Sequence, residues 1–131
     1  MIGLDTNIVV RYLLQDDRGQ ARIATGVFER LTAESPGFLS VVTMVELVWV
    51  LESSYGLARE QVAQAIAGLL AARELVVDRA ETVGRALRVY QSGKADFADA
   101  LVAGIGRQAG CKQTLTFDAM AARDAGMTLC R

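Results

Sequence analysis

Carboxylates follow three short apolar runs of this chain, at the points where helical patterns begin. They are Asp5 after residues 1–4, Glu46 in the segment after residues 38–42, and Asp118 after residues 113–117. If the apolar runs are parallel strands, their C-terminal ends share one edge of a sheet, where the three carboxylates converge. Clustered like charges are costly unless a cation or a proton neutralises them. In a chain without histidine, we expect a hard divalent metal ion bound through oxygen.

A fourth carboxylate, Asp99, lies in the helical segment 97–103, which is apolar on nearly every side. Burying an unpaired carboxylate is strongly unfavourable, so Asp99 lies on an exposed face of its helix or has a partner such as a metal ion. Asp96 is three residues earlier and shares a helix face with Asp99. Because Asp96 falls in the first turn, helix capping is a sufficient explanation for it.

Helix capping is the alternative explanation for each of the other acids. Asp5 and Asp118 are each suited to cap the helix that comes next, and Thr43 with Glu46 matches a capping box. Taken singly, each is more simply explained as a structural residue. The prediction of a site depends on the coincidence of these three acids with Asp99.

Neutral oxygen atoms and polar groups accompany the acids at Thr6, Asn7 and Thr116, where they could orient a metal-bound water. Thr and Asn are also common near helix starts for structural reasons alone. Two further acids, Asp16 and Asp17, are expected to be solvated loop residues.

The expected chemistry is metal-assisted hydrolysis of a phosphodiester. Mg²⁺ or Mn²⁺ bound by Asp5, Glu46, Asp99 and Asp118 would lower the pKa of a bound water and stabilise the leaving oxygen. The absence of histidine excludes ribonuclease chemistry of the His-pair type and Ser-His-Asp triads. No glycine-rich phosphate loop of the Walker type is present.

Strands and helices alternate along the chain. The strands are predicted at residues 1–4, 38–42, 74–77, 113–117 and 127–130. The helices are predicted at residues 8–14, 20–33, 43–54, 59–72, 80–91, 96–109 and 119–125. This alternation predicts an α/β fold of three layers, α/β/α, around a central parallel sheet of about five short strands. The length of 131 residues predicts a single domain over residues 1–131.

Composition narrows the class of protein. The formal net charge of −1 excludes a strongly basic nucleic-acid binder, although local basic patches remain open. Arg11 and Arg107 flank the predicted site and are either phosphate contacts or solvated surface charges. Cys111 and Cys130 lack the spacing of a zinc site or a disulfide scaffold. With no basic segment before the first apolar run and no apolar run long enough to span a bilayer, we expect no membrane association and a cytoplasmic protein.

The hydrophobic share of 52% is high for a small domain, so we expect apolar surface that contacts another subunit or a partner protein. The residues expected to contribute to it lie on or next to two predicted helices: Val48, Trp49, Leu51, Tyr55, Val62 and Ile66.

The ordered motifs resemble those of PIN-domain proteins, in particular VapC-type toxin ribonucleases of type II toxin–antitoxin systems. The matching segments run over nearly the whole chain: residues 2–7 (IGLDTN), 43–47 (TMVEL), 95–103 (ADFADALVA) and 115–118 (LTFD). The resemblance implies a metal-dependent endoribonuclease, usually a homodimer, that a small VapB-like antitoxin neutralises. By position, Asp5, Glu46, Asp99 and Asp118 correspond to the acidic quartet of the family. Asp96 matches an additional acid of some members, and Thr116 matches the hydroxyl that often accompanies the last acid.

The near-neutral net charge also indicates which kind of RNA would be cleaved. Without long-range attraction to nucleic acid, selective cleavage of a structured RNA such as a transfer or ribosomal RNA is expected.

Two alternatives come from other classes of protein. A haloacid-dehalogenase-like phosphatase would use Asp5 as nucleophile, but that chemistry needs Asp-x-Asp where this chain has Asp5-Thr6-Asn7. A non-catalytic, receiver-like module would use a magnesium pocket for signalling. It would need paired acids after the first strand and a lysine after the last, and Lys94 and Lys112 do not fit that position.

Overall fold

The computed structural model describes residues 1–131, which form alternating strands and helices. The strands are β1 (Ile2–Gly3), β2 (Gly37–Leu39), β3 (Leu75–Val77), β4 (Leu115–Thr116) and β5 (Thr128–Leu129). The helices are α1 (Thr6–Leu14), α2 (Arg18–Arg30), α3 (Val41–Ser53), α4 (Arg59–Ala71), α5 (Ala80–Gln91), α6 (Phe97–Gln108) and α7 (Ala119–Asp124). Each predicted strand and helix is present, and the ends differ from the prediction by no more than a few residues.

All strand pairs are parallel, as the alternation of strands and helices predicted. Strands β1, β2 and β3 form a sheet with β2 in the middle, and β4 pairs with β5 in a second, two-stranded sheet. The carboxyl ends of β1 and β2 lie at the same edge of the first sheet, because parallel strands point the same way. Asp5 and the start of α3 therefore lie at that edge.

Contacts within the chain divide it into two compact units, the N-terminal unit (Met1–Ala80) and the C-terminal unit (Glu81–Arg131). The N-terminal unit holds β1–β3 with α1–α4, and the C-terminal unit holds α5–α7 with β4 and β5. The single domain over residues 1–131 stays a prediction.

Helix α3 forms the centre of the N-terminal core, because it packs against both α1 and α4. This packing makes most of the predicted partner surface wrong. Val48, Leu51, Val62 and Ile66 are all buried, with no more than 4% of each residue exposed. Of the predicted set, only Trp49 is well exposed, at 63%. The apolar character of α3 and α4 thus reflects contacts between these helices.

The start of α3 differs from the prediction in a way that changes the role of Glu46. Ser40 is the N-cap, and its hydroxyl oxygen accepts the backbone N–H of Thr43 at 3.1 Å. The strand predicted over residues 38–42 therefore ends at Leu39, and the capping box predicted for Thr43 and Glu46 is wrong. Glu46 lies in the second turn of α3, where the helix start does not require a carboxylate.

The structure has no helix that is both long enough and apolar enough to cross a membrane. Cys111 and Cys130 are free and exposed.

Replacing Ser40 with alanine is expected to lower the free energy of unfolding by about 1 kcal/mol, because the first turn of α3 loses its cap. Glu46→Gln serves as the control and is expected to change this free energy by less than about 0.5 kcal/mol, as for an exposed position. Urea denaturation of the two variants measures both values. Strong destabilisation by Glu46→Gln together with no effect of Ser40→Ala would instead place the helix start at Thr43.

Candidate functional site

Asp5 and Glu46 line one cavity of about 360 Å³ in the N-terminal unit. Asp5 is the N-cap of α1, and its Oδ1 accepts the backbone N–H of Thr6 at 2.8 Å. An N-cap side chain more often reaches the second or third residue of the helix. Asp5 uses one oxygen on the first residue, so its second carboxylate oxygen is left for another partner.

Thr6 connects the two acids of this cavity. Its backbone N–H is donated to Asp5, and its hydroxyl is donated to Oε1 of Glu46 at 2.8 Å. Thr6 is buried, with 8% of the residue exposed, whereas Asp5 and Glu46 are exposed. A buried hydroxyl keeps a hydrogen-bond partner because leaving it unsatisfied costs free energy. The contact therefore fixes the carboxylate of Glu46 relative to the start of α1.

The ligand atoms of the cavity fit a hard divalent ion. The carboxylates of Asp5 and Glu46, the hydroxyl of Thr6 and the side-chain amide of Asn7 offer oxygen atoms, and Mg²⁺ and Mn²⁺ prefer oxygen. No group of three or more Asp, Glu or Cys side chains is arranged to hold a metal ion by itself. Mg²⁺ is commonly held by one or two carboxylates, with waters and substrate phosphates as its other ligands, and two carboxylates suit that arrangement.

In the C-terminal unit, Asp96 and Asp99 lie at the start of α6. Asp96 is the N-cap, and its Oδ2 accepts the backbone N–H of Asp99 at 3.0 Å. Asp99 is partly buried in the first turn of the helix. Burial raises the pKa of Asp99, and the negative charges of Asp96 and Asp118 raise it further. Asp99 therefore lies near two like charges, those of Asp96 and Asp118.

Asp118 is the N-cap of α7. Its Oδ1 accepts the backbone N–H groups of Met120 and Ala121, at 2.8 and 3.3 Å. The hydroxyl oxygen of Thr116 accepts the backbone N–H of Asp118 at 3.0 Å, which fixes the turn between β4 and α7. The capping role considered for Asp118 is thus present in the structure, and it leaves the charge of the carboxylate at the end of β4.

A network on the wall of the first cavity was missed by the sequence reasoning. Arg11 donates through Nη1 to the hydroxyl of Tyr55 at 2.9 Å and to Asp16 at 3.3 Å, and through Nε to Gln20 at 2.6 Å. The hydroxyl of Tyr55 donates in turn to Asp16 at 2.8 Å. This bond, with help from the charge of Arg11, lowers the pKa of Asp16.

Asp16 and Asp17 are exposed and lie in the loop between α1 and α2, as predicted, and both also make hydrogen bonds. Asp16 is hydrogen-bonded and ion-paired, and Asp17 is the N-cap of α2, accepting the backbone N–H of Gln20 at 2.9 Å. The sequence did indicate that Arg11 is close to the site, because Arg11 lies one turn after Asn7 on the same face of α1. Tyr55 is 44 residues from Arg11, and no local pattern indicates their contact.

Arg107, the other arginine considered as a phosphate contact, is exposed near the end of α6. It lines a different cavity, of about 350 Å³, together with Arg85 and Gly104. None of the candidate acids lines that cavity.

The comparison with known families covers nearly the whole chain. The family model described as the PIN domain matches residues 2–126. The match extends from β1 to the end of α7 and includes all of the candidate site residues. No protein of curated function matches the chain. The family assignment therefore depends on the match of the PIN domain model to residues 2–126.

Asp99→Asn is expected to leave the free energy of unfolding of the metal-free protein unchanged or to increase it. Because the folded state raises the pKa of Asp99 above its ordinary value of 3.8, the folded protein binds this proton more tightly than the unfolded chain does. Ionised Asp99 therefore destabilises the fold, and its cost grows as the pH rises from 3.8 through the raised pKa. Denaturation in excess chelator at several pH values measures the difference between variant and wild type.

Asp124→Asn provides a control of opposite sign. The hydrogen bond and charge of Arg123 lower the pKa of Asp124, so ionised Asp124 stabilises the fold and its loss should destabilise the protein near neutral pH. A clear loss of stability for Asp99→Asn at neutral pH would mean that its position in the first turn, at the positive end of the α6 dipole, outweighs burial and repulsion.

Proposed function

Because the chain belongs to the PIN domain family, we propose that it is a metal-dependent endoribonuclease and the toxin of a toxin–antitoxin pair. PIN domains have a three-layer α/β/α fold and are generally metal-dependent nucleases. The observation that carries the proposal is the pair of carboxylates, Asp5 and Glu46, held at one cavity through Thr6.

The proposed acidic set consists of Asp5, Glu46, Asp99 and Asp118, which correspond in order to the acids of the family. Asp96, Thr6, Asn7 and Thr116 have supporting roles. When bound, Mg²⁺ or Mn²⁺ supplies a water of lowered pKa and stabilises charge on the leaving oxygen of the phosphodiester. The support for the metal is chemical, since the two carboxylates at one cavity, Asp5 and Glu46, would otherwise repel both each other and an RNA backbone.

The residues around the acids hold the carboxylate groups in fixed orientations. Thr6 fixes one oxygen of Glu46, which restricts the rotation of a long side chain that is otherwise exposed. Asp118 is fixed by two backbone N–H groups of α7. Ligands that are oriented before the substrate arrives need less ordering in the reaction, which favours catalysis.

Neither alternative class is favoured. The PIN match over residues 2–126 includes the segment around Asp5, where a phosphatase would have its nucleophile and a receiver its paired acids. Asp5 also accepts a backbone hydrogen bond at the start of α1, and no second acid stands two residues later, where the phosphatase needs one.

The proposed substrate is a structured RNA, such as a transfer or ribosomal RNA. The net charge of −1 gives little long-range attraction to nucleic acid in general. Recognition would then depend on the shape of a folded RNA, with an unstacked loop that reaches the acids. The reducing cytoplasm, where such RNAs occur, also suits the free Cys111 and Cys130.

The proposed partners are a second copy of the chain and a small VapB-like antitoxin. Exposed apolar side chains support a protein partner, and two of them, Phe117 and Met120, lie on either side of Asp118, with 87% and 59% of each residue exposed. An antitoxin could cover this surface with an amphipathic helix and place an arginine against the acids in competition with the metal.

Metal-dependent cleavage is the direct test of the nuclease proposal. With total cellular RNA, an unstructured RNA and single-stranded DNA at physiological salt, we expect a few discrete cuts in a structured RNA and little cleavage of DNA. Excess chelator should abolish cleavage, and added Mg²⁺ or Mn²⁺ should restore it. Sequencing of the RNA ends identifies the cuts.

Asp118→Asn is a suitable inactive control, because asparagine is as good an N-cap as aspartate and keeps α7 stable, while the charge is lost. Full cleavage in chelator would contradict the metal mechanism. Uniform degradation of every RNA, or faster cutting of DNA, would indicate a general nuclease.

The toxin assignment predicts a stable complex with the product of a small neighbouring reading frame. Co-expression should yield a complex that does not cleave RNA, and light scattering of the isolated chain should give the mass of a dimer. Phe117→Ser is expected to weaken the complex, because it removes the most exposed large apolar side chain. Val42→Ser, which removes an apolar side chain that is 64% exposed on α3, is the control and should leave the complex intact. A monodisperse monomer that binds no such protein would contradict both partner proposals.

A further inference from the structure

Arg11 lies where two cavities of the N-terminal unit adjoin. One is the cavity of about 360 Å³ that contains Asp5 and Glu46, in which Arg11 is the only cationic residue. The other, of about 380 Å³, is lined by Ile8, Gln20 and Ile23. Both cavities are also lined by Asn7 and Arg11. The first cavity thus has acidic lining residues, the second has apolar ones, and Arg11 belongs to both.

The guanidinium of Arg11 is held on two sides. Nε donates to Gln20, and Nη1 donates to Tyr55 and Asp16. Nη2 makes none of these bonds, and 28% of the side chain is exposed. Two N–H donors of a fixed, permanently charged group therefore remain for a ligand.

We propose that Arg11 binds an RNA phosphate next to the one that is cleaved, and that Tyr55 is a positioning residue that holds Arg11 for this contact. The inference depends on the proposed nuclease function and adds the path of the RNA strand. A phosphate chain that approaches two carboxylates needs a positive charge near them, and Arg11 supplies that charge in the same cavity.

The second cavity has the lining expected of a site for the nucleotide attached to this phosphate. Ile23 on α2 is 67% exposed and Ile8 on α1 is half-buried; both line the cavity, and no acidic residue does. Apolar side chains beside a phosphate contact suit the face of an unstacked base. The adjoining nucleotide would therefore lie between Ile8 and Ile23, with its phosphate on Arg11.

The salt dependence of RNA binding distinguishes a phosphate contact from a structural role. In the Asp99→Asn background, to prevent cleavage, the affinity for a short single-stranded RNA is measured with Mg²⁺ over a series of salt concentrations. Arg11→Ala should weaken binding about tenfold or more. It should also reduce the slope of log affinity against log salt by about 0.7, the value for one phosphate contact with a single strand.

Two further variants separate charge from position. Arg11→Lys keeps the charge and should keep the slope, but it loses the bonds to both sides and should bind more weakly. Tyr55→Phe removes only the hydroxyl, so the slope should stay as in the background protein while the affinity falls. Arg30→Ala, at the exposed C-terminal end of α2, is the matched control and should leave both quantities unchanged.

The outcomes separate this inference from the nuclease proposal. If the wild-type protein cleaves RNA and Arg11→Ala leaves the slope unchanged, the role of Arg11 is wrong and the nuclease proposal stands. If Arg11→Ala reduces the slope but the wild-type protein shows no metal-dependent cleavage, the phosphate contact is supported and the nuclease proposal fails. An equal loss of slope in Arg30→Ala would overturn the inference, because the effect would then be one of general charge.

Discussion

The unpaired N–H groups at the starts of the helices are the constraint on which the candidate site depends. Each helix begins with N–H groups that have no partner inside the helix, and in α1, α6 and α7 an aspartate carboxylate accepts from them. The same carboxylates, Asp5, Asp96 and Asp118, thereby acquire fixed positions. Capping places a negative charge where the backbone requires an acceptor. Two of these charges, Asp5 and Asp118, also come shortly after a strand, β1 and β4 respectively. One aspartate can therefore both cap a helix and contribute a carboxylate to the candidate site.

Much of the fold follows from local patterns in the sequence. Alternation of short apolar runs with helical segments correctly predicted parallel strands, and the apolar spacing within each segment located every helix. The error at Val41 and Val42 has a simple cause. Their β-branched side chains favour a strand, but Ser40 caps a helix that buries Met44 and Leu47 completely, and this tertiary packing outweighs the local preference.

The partner surface was predicted wrongly for a related reason. Apolar side chains on α3 and α4 look the same in sequence whether they face another helix or another molecule. Val48 and Ile66 are buried by contacts between α3, α4 and their neighbours, and only the fold reveals which side chains remain exposed. Phe117, which is 87% exposed, was predicted only as the last residue of a strand, and nothing in the local pattern indicated that its side chain is exposed.

The candidate acids were proposed from sequence, but their contacts with other residues were not. Thr6 and Glu46 are 40 residues apart, and Arg11 and Tyr55 are 44 residues apart, so no local spacing encodes either contact. Asp99 was identified because an unpaired carboxylate on an apolar helix is costly, and its raised pKa has that physical cause. In the case of Glu46, the structure removed the capping explanation and left a carboxylate held by a buried hydroxyl.

The affinity for Mn²⁺, measured by electron paramagnetic resonance, tests most directly whether these fixed carboxylates bind metal. Thr6→Val keeps the size of the side chain but removes the hydroxyl that orients Glu46, and Thr6→Ser keeps that hydroxyl. We predict that Thr6→Val weakens Mn²⁺ binding by about 10–100-fold, as for the loss of a group that orients a ligand, and that Thr6→Ser binds as the wild type does. Equal Mn²⁺ affinity in wild type, Thr6→Val and Glu46→Gln would contradict a metal site at these carboxylates.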